Sequence, residues 1–226
     1  MFDEPQQRVV CFDLGGVLVR ICRSWAEACA RASLPERNAM WFGSAEWRAR
    51  RRSIVDRYQE GSLECSAYYA ELARASDDAY STREHELIHD AWTLEEYAGA
   101  RALVRSLNQQ SSVTTACLSN TNHGHWVRLA GLDGKNEYPA VLELRHRLAS
   151  HLLRCSKPDP QIYRLAQQKF SEHGPVRPND IIFFDDLPEN VEAARSVGWD
   201  AFLVDHAGDT VGQMRRHLAG AGLRLQ

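Results

Sequence analysis

The sequence is short of several features, and each shortage removes a class of protein. It contains no apolar run approaching the ~18 residues that a membrane span requires, so an integral membrane protein is not expected. It has no excess of basic residues: 27 Lys and Arg stand against 30 Asp and Glu, a formal charge of −3. Proteins that grip a phosphate backbone are usually basic, so nucleic acid is not expected as a partner. None of the six cysteines forms a CxxC pair, and the nine histidines show no ligand spacing with them, which argues against a zinc site. Cys11 and Cys117 lie inside apolar runs, where a free thiol behaves as a small hydrophobe, and a reducing, cytoplasmic compartment is the expectation. The stretch from Met1 to Arg8 is polar and acidic and lacks the basic-then-apolar pattern of a secretory signal. Internal repeats and low-complexity linkers are missing too. Nothing in the pattern sets an oligomeric state.

What is present suits a soluble α/β chain. The 226 residues, 44% hydrophobic and 25% charged, can build one large domain or a core with an insertion. Short, wholly apolar runs at 8–13, 113–118, 181–184 and 201–204 read as strands of a parallel sheet buried on both faces. A further strand is expected near 145–149. Asp159-Pro160 reads as an N-cap followed by proline at the first helical position, opening a helix to about Phe170. Pro188 opens another, running to Ser196 and ending near Gly198. Thr93 with Glu96 has capping-box spacing and predicts a helix to about Asn108. Strands alternating with helices imply right-handed crossovers.

The stretch from about Ile21 to Trp92 differs. It is helix-rich, holds Trp25, Trp41 and Trp47, and has no convincing strand. Four or so helices are expected there, one of them opened by the capping-box pair Ser81 and Glu84. Its aromatics are read as core. The run Arg48, Arg50, Arg51 and Arg52 is read first as a solvated helix face, and alternatively as a patch for an anionic substrate. The segment from Asp133 to Tyr138 reads as an exposed loop.

Ligands of open α/β sheets bind at the carboxyl ends of the strands. Those ends here carry Asp13, Ser119-Asn120 and Asp185-Asp186, and Lys157 stands in a loop that can reach the same edge. Clustered carboxylates repel unless a cation joins them, and hard oxygen donors suit Mg²⁺. A carboxylate can also act as a nucleophile. Ser119 and Asn120 offer polar groups to anionic oxygens, and Lys157 a cation. Positioning and charge neutralisation are what phosphoryl transfer requires.

Four segments carry a family resemblance: Phe12-Asp13-Leu14-Gly15-Gly16-Val17-Leu18, Leu118-Ser119-Asn120, Lys157-Pro158-Asp159-Pro160, and Phe183-Phe184-Asp185-Asp186-Leu187-Pro188-Glu189-Asn190. In order and spacing they resemble the four motifs of the haloacid dehalogenase-like (HAD) superfamily. The likeness covers essentially the whole chain. It implies a Rossmann-like parallel-sheet core over residues 1–20 and 93–226, with a helical C1-type cap inserted over residues 21–92. Tyr58-Gln59-Glu60-Gly61-Ser62-Leu63 resembles a cap-helix junction. The extension Ser119-Asn120-Thr121-Asn122-His123-Gly124-His125-Trp126 is similar to bacterial sugar-phosphate phosphatases of the glucose-1-phosphate phosphatase kind.

Carried over residue by residue, the resemblance implies that Asp13 is the nucleophile and becomes an aspartyl-phosphate. Asp13, the Gly15 carbonyl, Asp185 and Asp186 would hold Mg²⁺. Ser119 and Lys157 would bind the transferring phosphoryl group, with Gly16, Asn120 and His123 contacting substrate. The expected partner is a small phosphorylated metabolite, with a sugar phosphate as the implied instance.

One position departs from the pattern. The family usually has a second aspartate two residues after the nucleophile, serving as general acid and base. Gly15 stands there. The lost help is typically worth about 10²- to 10⁴-fold, so a slow enzyme rather than a dead one is expected. A weakly basic leaving group, such as an anomeric sugar oxygen, would suffer least. His123 or His125 could substitute, although an exposed histidine at a helix start is the plainer reading. Two alternatives stay open: a metal-independent dehalogenase, which also lacks the second aspartate, and a weakly active or non-catalytic binding protein.

Overall fold

The computed structural model describes residues 7–225. The polar stretch read as lacking a secretory pattern falls, except for its last two residues, outside the described residues. Strand β1 (Arg8–Phe12) is the centre of a five-stranded parallel sheet. On one side it pairs with β4 (Val113–Ser119), and on the other with β6 (Ile181–Asp185). The edges are β5 (His146–Ala149) and β7 (Asp200–Leu203), giving the order β5-β4-β1-β6-β7. The weakly signalled strand near 145–149 is therefore present.

The two-residue side-chain period of a strand sorts β1 between two cores. Val10 and Phe12 join one apolar cluster, Val9 and Cys11 the other. Helices α6 (Ala100–Asn108) and α12 (Thr210–Gly220) cover the first face with Leu103, Val104, Leu107, Met214 and Leu218. Helices α10 (Pro160–Phe170) and α11 (Pro188–Ser196) cover the second with Ile162, Tyr163, Phe170 and Val191. Burial on both faces explains why the strands are apolar throughout. Both helices begin as read: the Asp159 carboxylate accepts from the Gln161 amide, and Pro188 opens α11, with Gly198 in the left-handed region (φ 89°) just beyond its end.

One expected helix start is wrong. Thr93–Glu96 is strand β3, antiparallel to a short strand β2 (Val19–Ile21), with Ile21 opposite Thr93 and Val19 opposite Glu96. The capping-box spacing is coincidental, because both side chains are engaged elsewhere. Glu96 accepts from the Ala140 amide at 2.6 Å, and the Thr93 hydroxyl accepts from Arg128 at 3.1 Å. Helix α6 starts instead after Gly99, which holds a positive φ of 84°.

Between β2 and β3 the chain forms five helices: α1 (Trp25–Arg31), α2 (Ala39–Phe42), α3 (Ala45–Gln59), α4 (Cys65–Ala75) and α5 (Thr82–Asp90). They enclose their own apolar cluster around Phe42, Trp47, Tyr58, Tyr68 and Tyr80, with Trp25 and Trp41 packed against it. Trp47 is core, as read, while Trp25 and Trp41 are half-buried at the edge of the cluster. The Ser81–Glu84 capping box opens α5, and Glu84 also pairs with Arg37 at 2.6 Å. The end of α3 docks on the core. Gly61 holds φ 69°, and a Cβ there would come within 2.5 Å of the His151 carbonyl, so only glycine fits. Residues 133–137 are exposed as expected, but Tyr138 is buried and starts α8 (Pro139–Leu142).

Candidate active site

The carboxyl ends of β1, β4 and β6 converge at one edge, where helices α7 (His123–Leu129), α10 and α11 begin. Asp13 follows β1 directly, and its amide donates to the Phe184 carbonyl on β6 at 2.8 Å. Asp185, the last residue of β6, is fully buried. Lys157 is also buried and stands between them, with Nζ 2.9 Å from Asp13 Oδ1 and 2.6 Å from Asp185 Oδ2. The second oxygen of Asp185 accepts from the Leu187 amide, and both oxygens accept from Asn190 Nδ2, at 2.9–3.1 Å. Asn190 reaches back because it lies in the first turn of α11, whose start Pro188 sets. The sequence reading quoted Asn190 in its motif but gave it no role. Its signal was the distance of five residues from Asp185, one helical turn past the strand end.

Asp186 turns the other way. Its side chain is 4% exposed, and Oδ2 pairs with Arg23 Nη1 at 2.9 Å. Gly16 lies beneath this pair at φ 84°, and a Cβ on it would fall 2.4 Å from Asp186 Oδ2. Gly16 thus makes room for the carboxylate. Asn120 also differs from expectation. Its Nδ2 donates to the Lys157 carbonyl and its Oδ1 accepts from the Lys157 amide, both at 2.8 Å. These two bonds hold the lysine backbone, which makes Asn120 a positioning residue for Lys157, while it still lines the cleft beside Ser119.

The electrostatics follow from burial. Asp13 is raised from the ordinary carboxylate value to about 7, chiefly by burial. The Lys157 charge pulls it down, and Asp185 and Asp186 push it up again. Burial would lower the Lys157 ammonium, but the charges of Asp13 and Asp185 overcome this and hold it above the ordinary lysine value. Asp186 is raised, again chiefly by burial, with Arg23 opposing. Asp13, Asp185 and Asp186 each place an oxygen so that all three lie within 4.8 Å of one another. Two cations, Lys157 and Arg23, face these three carboxylates. One negative charge is left over, and an all-oxygen donor set of this kind fits Mg²⁺.

Two cavities open beside the β1 and β4 ends, and Asp13 lines the outer one. The outer one, about 460 Å³, holds Asp13, Gly15, Ser119, Lys157 and Asp186 on the core side, and Arg23, Arg48, Arg51 and Arg52 from the inserted helices. The inner one, about 140 Å³, runs from Gly15 and Ser119 into the inserted helices, past Ile21, Trp25, Arg51, His85 and Trp92. Arg48, Arg51 and Arg52 therefore face the cleft, and only Arg50 of that run turns away, to Glu46 and Trp41.

The two histidines after β4 separate. His125 lines the inner cavity, stacks on His89 at 3.7 Å, and shares a hydrogen bond through Nε2 with the His89 carbonyl. Burial, with His89 adding, depresses it well below the usual histidine range. His123 is exposed, packs near His151, and lines neither cavity. The structure does not bring His123 to the cluster. At the vacated acid position, a Cβ on Gly15 would stand 3.2 Å from Ile21 Cδ1, so the Ile21 side chain covers that place.

Buried carboxylates and a lysine at the carboxyl edge of a parallel sheet put this molecule in the α/β class whose chemistry sits at strand ends. The family model for haloacid dehalogenase-like hydrolases matches residues 7–198, and the chain belongs to that family. It is 37% identical to a phosphatase of Mycobacterium tuberculosis over 78 residues, 34% of either chain, so the match spans about a third of that relative. A HAD family enzyme of Bacteroides thetaiotaomicron superposes with a TM-score of 0.73 at 17% identity, over 93% of this chain and 99% of that one. The same enzyme in complex with magnesium and inorganic phosphate gives 0.70 at 16% identity, over 90% and 96%. L-2-haloacid dehalogenase of Xanthobacter autotrophicus with chloropropionic acid covalently bound gives 0.62 at 17% identity, over 97% and 85%. At such identities the likeness is one of fold.

Proposed function

We propose that this hydrolase is a Mg²⁺-dependent phosphatase of a small phosphorylated metabolite, working through an aspartyl-phosphate on Asp13. The observation that carries the reading is the Asp13–Lys157–Asp185 contact with Asp186 beside it, opening on a cleft that Ser119 also lines. Asp13, Asp185, Asp186 and the Gly15 carbonyl are the groups that would hold the ion. When bound, it would neutralise charge on the phosphoryl oxygens.

The chain's own residues divide the remaining work. Lys157 Nζ holds one Asp13 oxygen at 2.9 Å and leaves the other to attack phosphorus. The bond to the leaving oxygen breaks as the Asp13–phosphorus bond forms, with Ser119 and Lys157 on the phosphoryl oxygens. Water then attacks that phosphorus, releasing inorganic phosphate and restoring the Asp13 carboxylate. Lys157 stays charged throughout, being held up by two carboxylates, and acts as a fixed cation rather than a proton donor.

The residues around the outer cleft include no histidine, and Gly15 brings no carboxylate. Asp56 and Glu189 are further carboxylates in the cleft lining, but with none at position 15 the leaving oxygen would take its proton from water. This favours substrates whose leaving group is weakly basic, as in an anomeric sugar phosphate, and agrees with the sugar-phosphatase likeness after β4. The segment between β2 and β3 acts as the cap over the site. Six free thiols, among them the buried Cys11, Cys22, Cys29 and Cys117, suit a reducing, cytoplasmic setting.

The dehalogenase reading draws on the missing second aspartate and on the dehalogenase fold likeness. It leaves the third carboxylate without a cation, which weighs against it. Release of inorganic phosphate from a panel of phosphorylated metabolites, with Mg²⁺ or with a chelator, decides the matter. Mg²⁺-dependent release that Asp13→Asn abolishes supports the phosphatase. Turnover of 2-haloacids in chelator overturns it.

A further inference from the structure

Two of the arginines that line the outer cleft lack a carboxylate partner among the described residues: Arg48, which is exposed and donates to the Gly43 carbonyl at 2.6 Å, and the half-buried Arg51. Arg23 is matched by Asp186 at 2.9 Å, and Arg52 lies 3.9 Å from Asp56. Among the described residues Arg51 has no carboxylate at ion-pair distance. It is held by flat neighbours instead: its guanidinium lies 4.8 Å from the Trp92 ring centroid and 5.7 Å from that of Trp25. The Tyr68 hydroxyl, which the Arg51 charge influences, stays neutral because burial raises it, and Arg51 Nε is buried without a hydrogen-bond partner. Arg51 lines both cavities, so it stands on the wall between the phosphoryl site and the interior of the cap.

A guanidinium offers five N–H donors in a fixed fork, and taking it out of water without an opposite charge is costly. Two indole faces fix its plane and offset part of that cost. A ligand carboxylate or phosphate would offset the rest. Lys157, with the ion that Asp13 and Asp186 would hold, already answers the charge of one phosphoryl group, so an anion at Arg51 is a second one.

We propose that Arg51 is a specificity-determining residue, and that the substrate is a phosphate monoester carrying a second anionic group, a carboxylate or another phosphate, on its leaving group. This rests on the phosphatase reading and names its substrate class. Arg50, on the same helix but paired with Glu46 and turned from the cleft, has no part in the selection.

The test compares matched esters: phosphoglycolate against 2-hydroxyethyl phosphate, and 3-phosphoglycerate against glycerol 3-phosphate, each with Mg²⁺. The wild type should prefer the acid of each pair by about 10- to 100-fold in kcat/KM, the usual worth of a charged hydrogen-bonded contact. Arg51→Met should bring the ratio close to one, Arg51→Lys should keep part of it, and Arg50→Met all of it. A wild-type ratio near one, or a ratio that Arg51→Met leaves intact, overturns the inference while the phosphatase reading stands. Binding of the same compounds to Asp13→Asn, followed by tryptophan fluorescence, separates the two claims. Tighter binding of the acids that vanishes in the Asp13→Asn, Arg51→Met double variant upholds the anion site even if nothing is turned over. Equal binding of acid and neutral ester overturns it.

Discussion

Acid should loosen the helices inserted between β2 and β3, and His85 allows the size of the effect to be worked out. The side chain is 1% exposed, lies between the rings of Trp25 and Tyr80 at 5.6 and 5.8 Å, and shares a hydrogen bond with Ser76 through Nε2 at 3.2 Å. Burial, reinforced by the Arg51 charge and opposed by Glu84, lowers its pKa from 6.5 to about 4. A base with a depressed folded pKa gives stability that is complete above the unfolded value and is lost as pH falls toward the folded one. The window is therefore 6.5 down to 4. Through it the unfolded chain holds up to one proton more than the folded chain, at about 1.4 kcal/mol per pH unit. Between neutrality and pH 5 the loss is about 2 kcal/mol from this residue. His89 and His125 are lowered too, chiefly by burial, and add in the same direction.

Urea denaturation at pH 7.5, 6 and 5, for wild type and His85→Leu, checks the reasoning. The variant starts from a different stability, having lost the Ser76 contact, but that offset does not change with pH. Its stability should fall between pH 7.5 and 5 by about 2 kcal/mol less than the wild type's. Parallel pH profiles would mean that His85 titrates normally when folded, and the argument from burial would be refuted.

Two further outcomes concern the chemistry. Asn120→Ala should lower kcat/KM by about 10- to 100-fold, the worth of two hydrogen bonds to the Lys157 backbone, with an unchanged far-ultraviolet circular dichroism spectrum. Gly15→Asp with Ile21→Ala should speed hydrolysis of esters with basic leaving groups by about 10²-fold or more, because it restores an acid and clears its place. Gly15→Asp alone should gain less, since Ile21 Cδ1 stands 3.2 Å from the new Cβ; stopped assays on alkyl against aryl phosphates read both.

The parts of this molecule that were legible from residues alone share a local cause. The sheet strands are apolar on both faces, and the N-caps at Asp159 and Ser81 act within three residues of themselves. Asp13 and Asp185 could be brought together because strand ends converge in any parallel sheet, with Lys157 reaching the same edge from a loop. What was illegible depends on distant partners. Thr93–Glu96 becomes a strand because Val19–Ile21 pairs with it, 72 residues away in the case of Ile21 and Thr93. Asn120 looked like a substrate ligand, yet its partner is the Lys157 backbone, 37 residues on. The arginine run was open to two readings, a solvated face or an anion patch, because periodicity along α3 does not say what α3 faces; Arg48, Arg50 and Arg52 are exposed and Arg51 is half-buried. His123 shared its neighbours' motif, but it begins a helix and points to solvent.

The ribbon of β2 and β3 has a consequence for descent. The chain leaves the sheet and returns to it through two strands that are bonded to each other. To the core, everything between Ile21 and Thr93 is a loop whose ends already meet. Closing such a loop costs only about 0.6 kcal/mol more for each doubling of its length. An ancestor could exchange that whole stretch for a longer, shorter or unrelated one without shifting the register of β1 against its neighbours. The sheet and the helices inserted between β2 and β3 can therefore be inherited separately.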